Sequence, residues 1–355
     1  MKTFIHFQDV SKSFGQTKVV ENLDLAVEKG EFLSLLGPSG SGKTTILMML
    51  AGFENASSGT ILMDGERIED LPAHRRGIGV VFQNYALFPH MTIAENVAFP
   101  LQMRKLGKAE IAERVRTGLE RVRLGHLGDR RPDQLSGGQQ QRVALTRALV
   151  FEPKVVLMDE PLGALDKQLR EEMQLEIREL HRRLGLTVVF VTHDQGEALT
   201  MSNRIAIFDK GRISQIGTAA EVYDRPANSF VAQFIGETNL LPATVVGADG
   251  EGLLLDLGEG ARIRAAPATG RPLGAGAGAL VSIRPERLSV QPAGGAGTVE
   301  ARVDDVVYQG DHLRLHLSRG PLRFVVRSER RASAPAIGSL AQLRFDPADC
   351  AVFPA

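Results

Sequence analysis

A chain of 355 residues exceeds one comfortable domain, and with 43% apolar and 24% charged residues it can bury a real core, which argues against disorder. Its 42 basic and 42 acidic side chains cancel, so charge provides no reason to expect a nucleic-acid partner or an anionic membrane surface. Cys350 is the only cysteine, which excludes a disulfide framework or a cysteine-based zinc site and points to a reducing compartment. The opening Met1-Lys2-Thr3-Phe4-Ile5-His6 lacks the build of a signal peptide, and no run of 18 apolar residues offers a membrane span.

In chain order, β-rich runs alternate with helical patterns through residue 236, as expected of an α/β domain with a mostly parallel sheet. Glu31-Phe32-Leu33-Ser34-Leu35-Leu36 predicts a buried strand running into a glycine loop, and Ile46 to Leu50 a helix after it. The stretch from Thr92 to Val150 is mainly helical in pattern, with Ile111, Val115, Leu119 and Val122 on one face. Val155-Val156-Leu157-Met158 and Val188-Val189-Phe190-Val191 are apolar throughout, as parallel strands covered on both faces require. Between them Leu169, Met173, Ile177, Leu180 and Leu184 mark an amphipathic helix. Arg204 to Phe208, a tight Asp209-Lys210-Gly211, and Arg212 to Ile216 predict a β-hairpin.

After Gly236 helical periodicity disappears. Short runs such as Ala243 to Val246, Leu253 to Leu257, Leu280 to Ile283, Leu313 to Leu317, Phe324 to Val326 and Leu340 to Phe345 predict a small β-barrel or sandwich. The stretches Gly274 to Gly278 and Pro292 to Gly297 are read as loops, because no helix pattern follows either as a phosphate site would need. The expected domains are therefore residues 1–236 and 237–355.

Gly37-Pro38-Ser39-Gly40-Ser41-Gly42-Lys43-Thr44 fits the phosphate-binding pattern G-x-x-x-x-G-K-[ST], with a strand before it and a helix after. Glycines let backbone N–H groups turn toward phosphate oxygens, and the positive end of the next helix adds to the attraction. Ser39, Gly40, Ser41, Gly42, Lys43, Thr44 and Thr45 are the candidate nucleotide contacts. Lys43 is the charge for the terminal phosphates, and the Thr44 hydroxyl is a candidate Mg²⁺ ligand. Asp159 and Glu160 follow the strand Val155 to Met158, at the strand end where α/β ligands bind. Asp159 is the second candidate Mg²⁺ ligand, and Glu160 the group to polarise an attacking water. An ordinary solvated Asp-Glu pair is the alternative.

Leu135-Ser136-Gly137-Gly138-Gln139-Gln140-Gln141-Arg142 is a second anion cradle, a Ser-Gly-Gly turn heading a helix. It resembles the signature of the ABC transporter ATPases. That resemblance implies an α/β P-loop nucleotide-binding domain with a helical subdomain. It also implies that Ser136, Gly137, Gly138 and Gln139 bind the γ-phosphate of ATP held by a second copy, so that the working unit is a homodimer. Phe14 matches the family's adenine-stacking aromatic, although a core phenylalanine is the alternative. Gln83, in Val80-Val81-Phe82-Gln83, matches the glutamine that senses Mg²⁺ and the attacking water. Asn84 to Thr92 resembles the surface that grips a membrane subunit. Asp166 matches an aspartate that crosses the dimer interface, and His193 the switch histidine on the γ-phosphate. Gly163 departs from the serine common in the family.

The resemblance extends to the tail, which is similar to the all-β, OB-like TOBE extension through Ser282-Ile283-Arg284-Pro285-Glu286-Arg287 and Tyr308-Gln309-Gly310. It implies an ATPase with ATP and Mg²⁺ as cofactors, peripheral on the cytoplasmic face of the bacterial inner membrane. The implied partners are two transmembrane permease subunits and, indirectly, a periplasmic or extracellular solute-binding protein, with no nucleic acid. Phe234-Ile235-Gly236-Glu237-Thr238-Asn239-Leu240-Leu241 and Phe88-Pro89-His90-Met91-Thr92 are most similar to the spermidine/putrescine group. Iron(III), phosphonate, sulfate and sugar importers share much of that pattern. A non-transport ABC ATPase, a regulatory binding module and a kinase-like P-loop enzyme are the other classes in play.

Overall fold

Alternation of side chains across the strands explains how the first part of the chain is layered. The computed structural model describes residues 3–249, 252–267, 273–292, 299–330 and 335–355, whose contacts group into two units, Met1–Ala219 and Ala220–Ala355.

The first unit opens with β1 (Thr3–Phe14) and β2 (Thr17–Glu28), then β3 (Phe32–Leu36), α1 (Lys43–Ala51), β4 (Ser58–Met63), β5 (Glu66–Arg67) and β6 (Ile78–Val81). Three helices follow, α2 (Ile93–Met103), α3 (Lys108–Arg121) and α4 (Gly137–Leu149). After them come β7 (Val155–Asp159), α5 (Lys167–Leu184), β8 (Thr187–Thr192), α6 (Gln195–Met201), β9 (Arg204–Asp209) and β10 (Arg212–Gly217). Strands β2-β1-β4-β5 form an antiparallel sheet, and the central sheet runs β10-β9-β3-β8-β7-β6. All its pairings are parallel except that of the β9–β10 hairpin. The turn of that hairpin places Lys210 at φ 46° and Gly211 at φ 79°, the left-handed pair whose twist suits two antiparallel strands.

The central strands are buried on both faces, and period 2 sorts them. Leu33, Leu35, Val155, Leu157, Val189 and Val191 pack with Ile46, Leu47 and Leu50 of α1 and with Ile5 and Phe7. Phe32, Val156, Met158, Val188 and Phe190 pack on the other side with Met173, Ile177 and Leu180 of α5. Each fully buried Leu, Ile, Val or Phe contributes ~1.5–3 kcal/mol by area. Leu184, on the same predicted stripe, is 41% exposed instead. The helix ends there on Gly185 at φ 61°, so the last turn of the stripe lies beyond the sheet. Helices α2 to α4 have a core of their own, with Ile93, Val97, Leu101, Val115, Leu119, Val122 and Val143, as the helical pattern predicted. Helix α2 starts on a capping box in which Thr92 Oγ1 accepts from Glu95 N and Glu95 Oε2 accepts from Thr92 N.

The second unit begins with the short helices α7 (Ala219–Asp224) and α8 (Ser229–Phe234), and everything after them is β. Strands β11 (Asn239–Asp249), β12 (Gly252–Asp256), β13 (Arg262–Pro267) and β14 (Gly278–Ile283) form a closed barrel with the last strand of the chain. A further five, β15 (Ser289–Pro292), β16 (Val299–Tyr308), β17 (His312–Arg319), β18 (Leu322–Glu329) and β19 (Leu340–Arg344), make an antiparallel sheet ordered β15-β19-β16-β17-β18. The closing strand β20 (Cys350–Pro354) pairs parallel with β13 and antiparallel with β14. Barrel residues Val281, Ile283 and Val352 share one core with Val303, Leu315, Phe324 and Leu343 of the sheet. The unit joins a barrel to a packed sheet, where the sequence left barrel or sandwich open because period-2 alternation is the same in both structures. The predicted loop at Gly274 to Gly278 is a turn tied to β11 by Gly276 N donating to Val245 O at 2.7 Å and Val245 N to Ala277 O at 2.9 Å. Of the other predicted loop, residues 293–297 lie outside the described residues. Among the described residues no helix is long and apolar enough to cross a membrane.

The contacts divide the chain ahead of Gly236, where composition changes, and Arg284 supplies a physical reason. Its side chain is 7% exposed. Nη1 donates to the carbonyls of Ala232 at 2.9 Å, Gly236 at 3.1 Å and Glu237 at 3.2 Å, and Nη2 to that of Tyr223 at 3.0 Å. The guanidinium also lies 4.3 Å from the centre of the Tyr223 ring. Tyr223 in turn donates to Glu286 Oε1 at 2.7 Å, and burial with that carboxylate pushes its phenol up to about 12. One side chain therefore binds α7 and α8 to β14. Arg284→Ala is expected to lower stability by about 2–4 kcal/mol, because it leaves several buried carbonyls without donors. Urea unfolding followed by circular dichroism measures the loss; a change below ~0.5 kcal/mol would show that solvent replaces the guanidinium freely.

Candidate active site

Parallel pairing brings four strand ends to one edge. Leu36 of β3 registers with Thr192 of β8, Asp159 of β7 with Val191 of β8, and Val81 of β6 with Met158 of β7. The residues that follow these strands, from Gly37, Gln83, Glu160 and His193, therefore emerge side by side.

After β3 the backbone turns through residues 37–42 into α1. Two glycines there are required by space. A Cβ on Gly37 would lie 2.5 Å from the Phe208 carbonyl oxygen, and one on Gly42, at φ 96°, would lie 2.6 Å from that of Val19. Ser39, Gly40 and Thr44 are exposed, Thr45 is partly buried, and Ser41 is buried. Lys43 is also buried, and its Nζ donates to the carbonyls of Gly37 and Pro38 at 2.8 Å each and to Ser41 Oγ at 3.2 Å. Burial holds this ammonium below the usual lysine range, against the pull of Glu160 and Asp159 in the opposite direction.

Two sets of hydrogen bonds lie side by side at this edge, one on Asp159 and one on Glu160. Thr44 Oγ1 donates to Asp159 Oδ1 at 3.1 Å. Burial raises the Asp159 carboxyl above its ordinary value, opposed by the Thr44 hydrogen bond. The Glu160 carboxylate sits between two neighbours, with Gln83 Nε2 donating to Oε2 at 3.3 Å and His193 Nδ1 at 3.0 Å from Oε1. Its backbone is at φ 44°, the left-handed region that a side chain disfavours. Glu160 N is held there by Val191 O at 2.9 Å, and Gly163 N by Glu160 O at 3.2 Å. Gln83 and His193 are exposed, so that side of the cluster faces outward.

Three predicted groups lie outside those sets of bonds among the described residues. Phe14, at the tip of the β1–β2 hairpin, is 47% exposed, so it is not a core side chain. Lys12 Nζ stands 4.6 Å from its ring centre, fixed by Glu54 Oε2 at 2.9 Å and Asn55 O at 2.8 Å. Ser136 caps α4, its Oγ accepting from Gln139 N at 3.4 Å while Gln139 Oε1 accepts from Ser136 N at 2.9 Å. The amides of Gly137 and Gly138 in that first turn have no intrahelical acceptor. Gly138 is buried, and a Cβ there would meet Leu169 Cδ2 of α5 at 2.8 Å. Asp166 caps α5, Oδ1 accepting from Leu169 N at 3.0 Å.

Sequence reading missed two arginines that fix this geometry. Arg147 of α4 donates to the carbonyls of Tyr85 and Ala86 at 2.8 Å each, where both residues sit at positive φ. Arg170 of α5 holds Leu165 O and the Asp194 carboxylate. Neither belongs to a short motif. The only local signal is that Arg170 falls four residues after the helix-capping Asp166.

Residues 20–163 match the family described as ABC transporter, and residues 281–353 match the TOBE domain. The chain is 45% identical over 352 residues to the spermidine/putrescine import ATP-binding protein PotA of Rubrobacter xylanophilus, covering 98% of this chain and 93% of the relative. It is 47% identical over 349 residues to the spermidine/putrescine import ATP-binding protein PotA 1 of Pseudomonas aeruginosa, covering 96% and 94%. Among solved structures, an ATP-binding cassette in a dimeric post-hydrolysis state bound to ADP and Pi aligns with a TM-score of 0.55 and 33% identity, over 61% of this chain and 98% of that one. The cbiO1 protein of Clostridium perfringens, part of an ABC transporter complex, aligns with a TM-score of 0.58 and 30% identity, over 62% and 91%.

The raised carboxyl of Asp159 has a measurable sign. Between its ordinary value of 3.8 and the higher folded value, the folded state holds a proton that the unfolded chain has lost. Stability therefore falls as pH rises through that window, and the deficit persists at neutral pH. Asp159→Asn keeps an acceptor for Thr44 and removes the half-buried charge. The nucleotide-free variant is expected to melt above the parent at pH 7, with the gap closing toward pH ~4, as scanning fluorimetry across pH would record. A variant that melts below the parent at pH 7 would contradict this account.

Proposed function

Because the chain belongs to the ABC transporter family of ATP-binding subunits, we propose that it energises import of spermidine or putrescine by clamping ATP between two copies of itself. It is an ATPase. The observation that carries the site reading is that the Thr44–Asp159 bond, at the head of α1, lies beside the Glu160 carboxylate held by Gln83 and His193, with Asp159, Glu160, Gln83 and His193 all at or just after the ends of parallel strands. The polyamine reading rests on the names of relatives at 45% and 47% identity over nearly the whole chain.

In this reading the ATP phosphates lie in the loop of residues 37–44. Backbone amides and the head of α1 face them, and Lys43 turns from its loop carbonyls to the terminal phosphates. Thr44 Oγ1, an Asp159 oxygen and the Gln83 amide oxygen form an all-oxygen set that fits Mg²⁺, an ion that needs few protein ligands beside phosphate and water. When bound, Mg²⁺ neutralises phosphate charge. Glu160 accepts the proton of the attacking water, and Gln83 and His193 hold its carboxylate in place. His193, exposed beside it, reaches the γ-phosphate, and Phe14 stacks on adenine. The second copy supplies Ser136, Gly137, Gly138 and Gln139 to the same phosphate, and Asp166 lies at the interface between the copies. The dimeric solved relative supports that arrangement.

The further partners are two membrane permeases, gripped by residues 84–92, and an external solute-binding protein acting through them. This places the chain on the cytoplasmic face of the inner membrane, with the β unit in a regulatory or dimer-stabilising role. Glu160→Gln is expected to bind ATP and dimerise in its presence while turnover falls by about 10²–10⁴-fold. Coupled-enzyme assay and gel filtration read the two effects, and parent-level turnover would overturn the assignment. Vesicles carrying the chain with its own membrane subunits are expected to hydrolyse ATP faster when binding protein and spermidine are supplied. Stimulation by a sugar or sulfate in place of the polyamine would reassign the cargo.

A further inference from the structure

Behind the reacting edge lies a buried network that the phosphate contacts and the base do not use. Its centre is Glu197 of α6, 3% exposed, whose carboxyl burial pushes above the ordinary range. Thr192 Oγ1 donates to Glu197 Oε2 at 2.6 Å and accepts from the Asp194 amide at 2.9 Å. Asp194 Oδ1 accepts from Glu197 N at 3.2 Å, and its other oxygen, Oδ2, takes Arg170 Nη1 at 3.2 Å. The residues on either side of His193 are therefore both locked into one cluster.

Arg170 reaches that cluster from the first turn of α5. Its Nη2 donates to the Leu165 carbonyl at 3.1 Å, and its Nε is buried, 3.9 Å from Glu197 Oε1. The loop 163–166 is otherwise anchored by the buried Leu165 side chain and by the Asp166 cap on α5. Gly163 offers no side chain, only an amide bonded to Glu160 O. A cavity of about 40 Å³ is lined by Glu160, Gly163, Thr192 and His193 together with Arg170, Asp194 and Glu197, so the loop, the base and the cluster meet around one small space. A planar guanidinium can hold a carbonyl and a carboxylate in fixed relation, whereas an ammonium offers one nitrogen.

We propose that Arg170 is a positioning residue that couples the 163–166 loop to His193, so that the placement of the loop sets the His193–Glu160 contact. The proposal rests on the roles given above to Glu160 and His193. Arg170 acts through Asp194 and Leu165, which it holds directly. It differs from plain structural stitching in what it controls, namely turnover after ATP has bound.

The test compares Arg170→Ala and Arg170→Lys with the parent chain and with Glu160→Gln. In both Arg170 variants kcat is expected to fall roughly 10- to 100-fold, since small misplacement of reacting groups has effects of that size. KM is expected to stay within about twofold. In a Glu160→Gln background, Arg170→Lys is expected to leave the ATP concentration needed for dimerisation unchanged. If Arg170→Ala does not fold, Arg170→Lys, which keeps the charge and loses the fork, decides alone. Variants that melt earlier yet turn over within about twofold of the parent per folded molecule would overturn the proposal. Loss of ATP-driven dimerisation would overturn it too, by placing Arg170 in assembly. Parent-level turnover in Glu160→Gln would instead sink the reading of the site, and the coupling with it. A dead Glu160→Gln beside active Arg170 variants would remove the coupling alone.

Discussion

Parallel strands bonded in register must end together, and the rest of the first unit depends on that constraint. Hydrogen bonding aligns Leu36 with Thr192 and Asp159 with Val191, so whatever follows these strands shares one rim. Burial on both faces keeps the alignment rigid, because Leu33, Leu157 and Val189 are covered on one side and Phe32, Val156 and Phe190 on the other. A shift of one residue in any strand would exchange those two sets and separate the loop of Lys43 from Asp159 and Glu160.

On that rigid rim sit groups that are individually unfavourable. Lys43 is buried with its charge, Asp159 is half-buried with its carboxyl raised, and Glu160 holds a left-handed backbone. Such strain persists only where the surroundings over-determine it. Here the determinants are the Val191 carbonyl on the Glu160 amide, the hydroxyl of Thr44, and the loop carbonyls around Lys43. The same logic extends outward to Arg147, which stabilises two positive-φ residues in the loop after Gln83.

What was legible in the sequence was local. The phosphate loop, the double-faced apolar strands, the Lys210-Gly211 hairpin and the capping pattern at Ser136 each arise from residues close together in the chain. Phe14 was ambiguous by sequence, and its exposure removes the core alternative. The contacts of Arg284, Arg147 and Arg170 were not legible, because each spans tens of residues or joins elements whose proximity only the fold creates. The second sheet of the β unit was hidden for a different reason. Strands of a barrel and strands of a sheet packed on it alternate alike, and only pairing register distinguishes them.

The self-satisfied state of Lys43 shapes how the site meets solution. Its three protons point at Gly37, Pro38 and Ser41, so the loop's own atoms satisfy the ammonium. A lone small anion meets no bare charge there and must compete with neutral acceptors already in place. A polyphosphate differs, since it engages the backbone amides of the loop at the same moment as the ammonium. In the reading proposed above the loop would act as a chelate filter, with preference for a chain of phosphates over a single one set by the hydrogen bonds of one lysine.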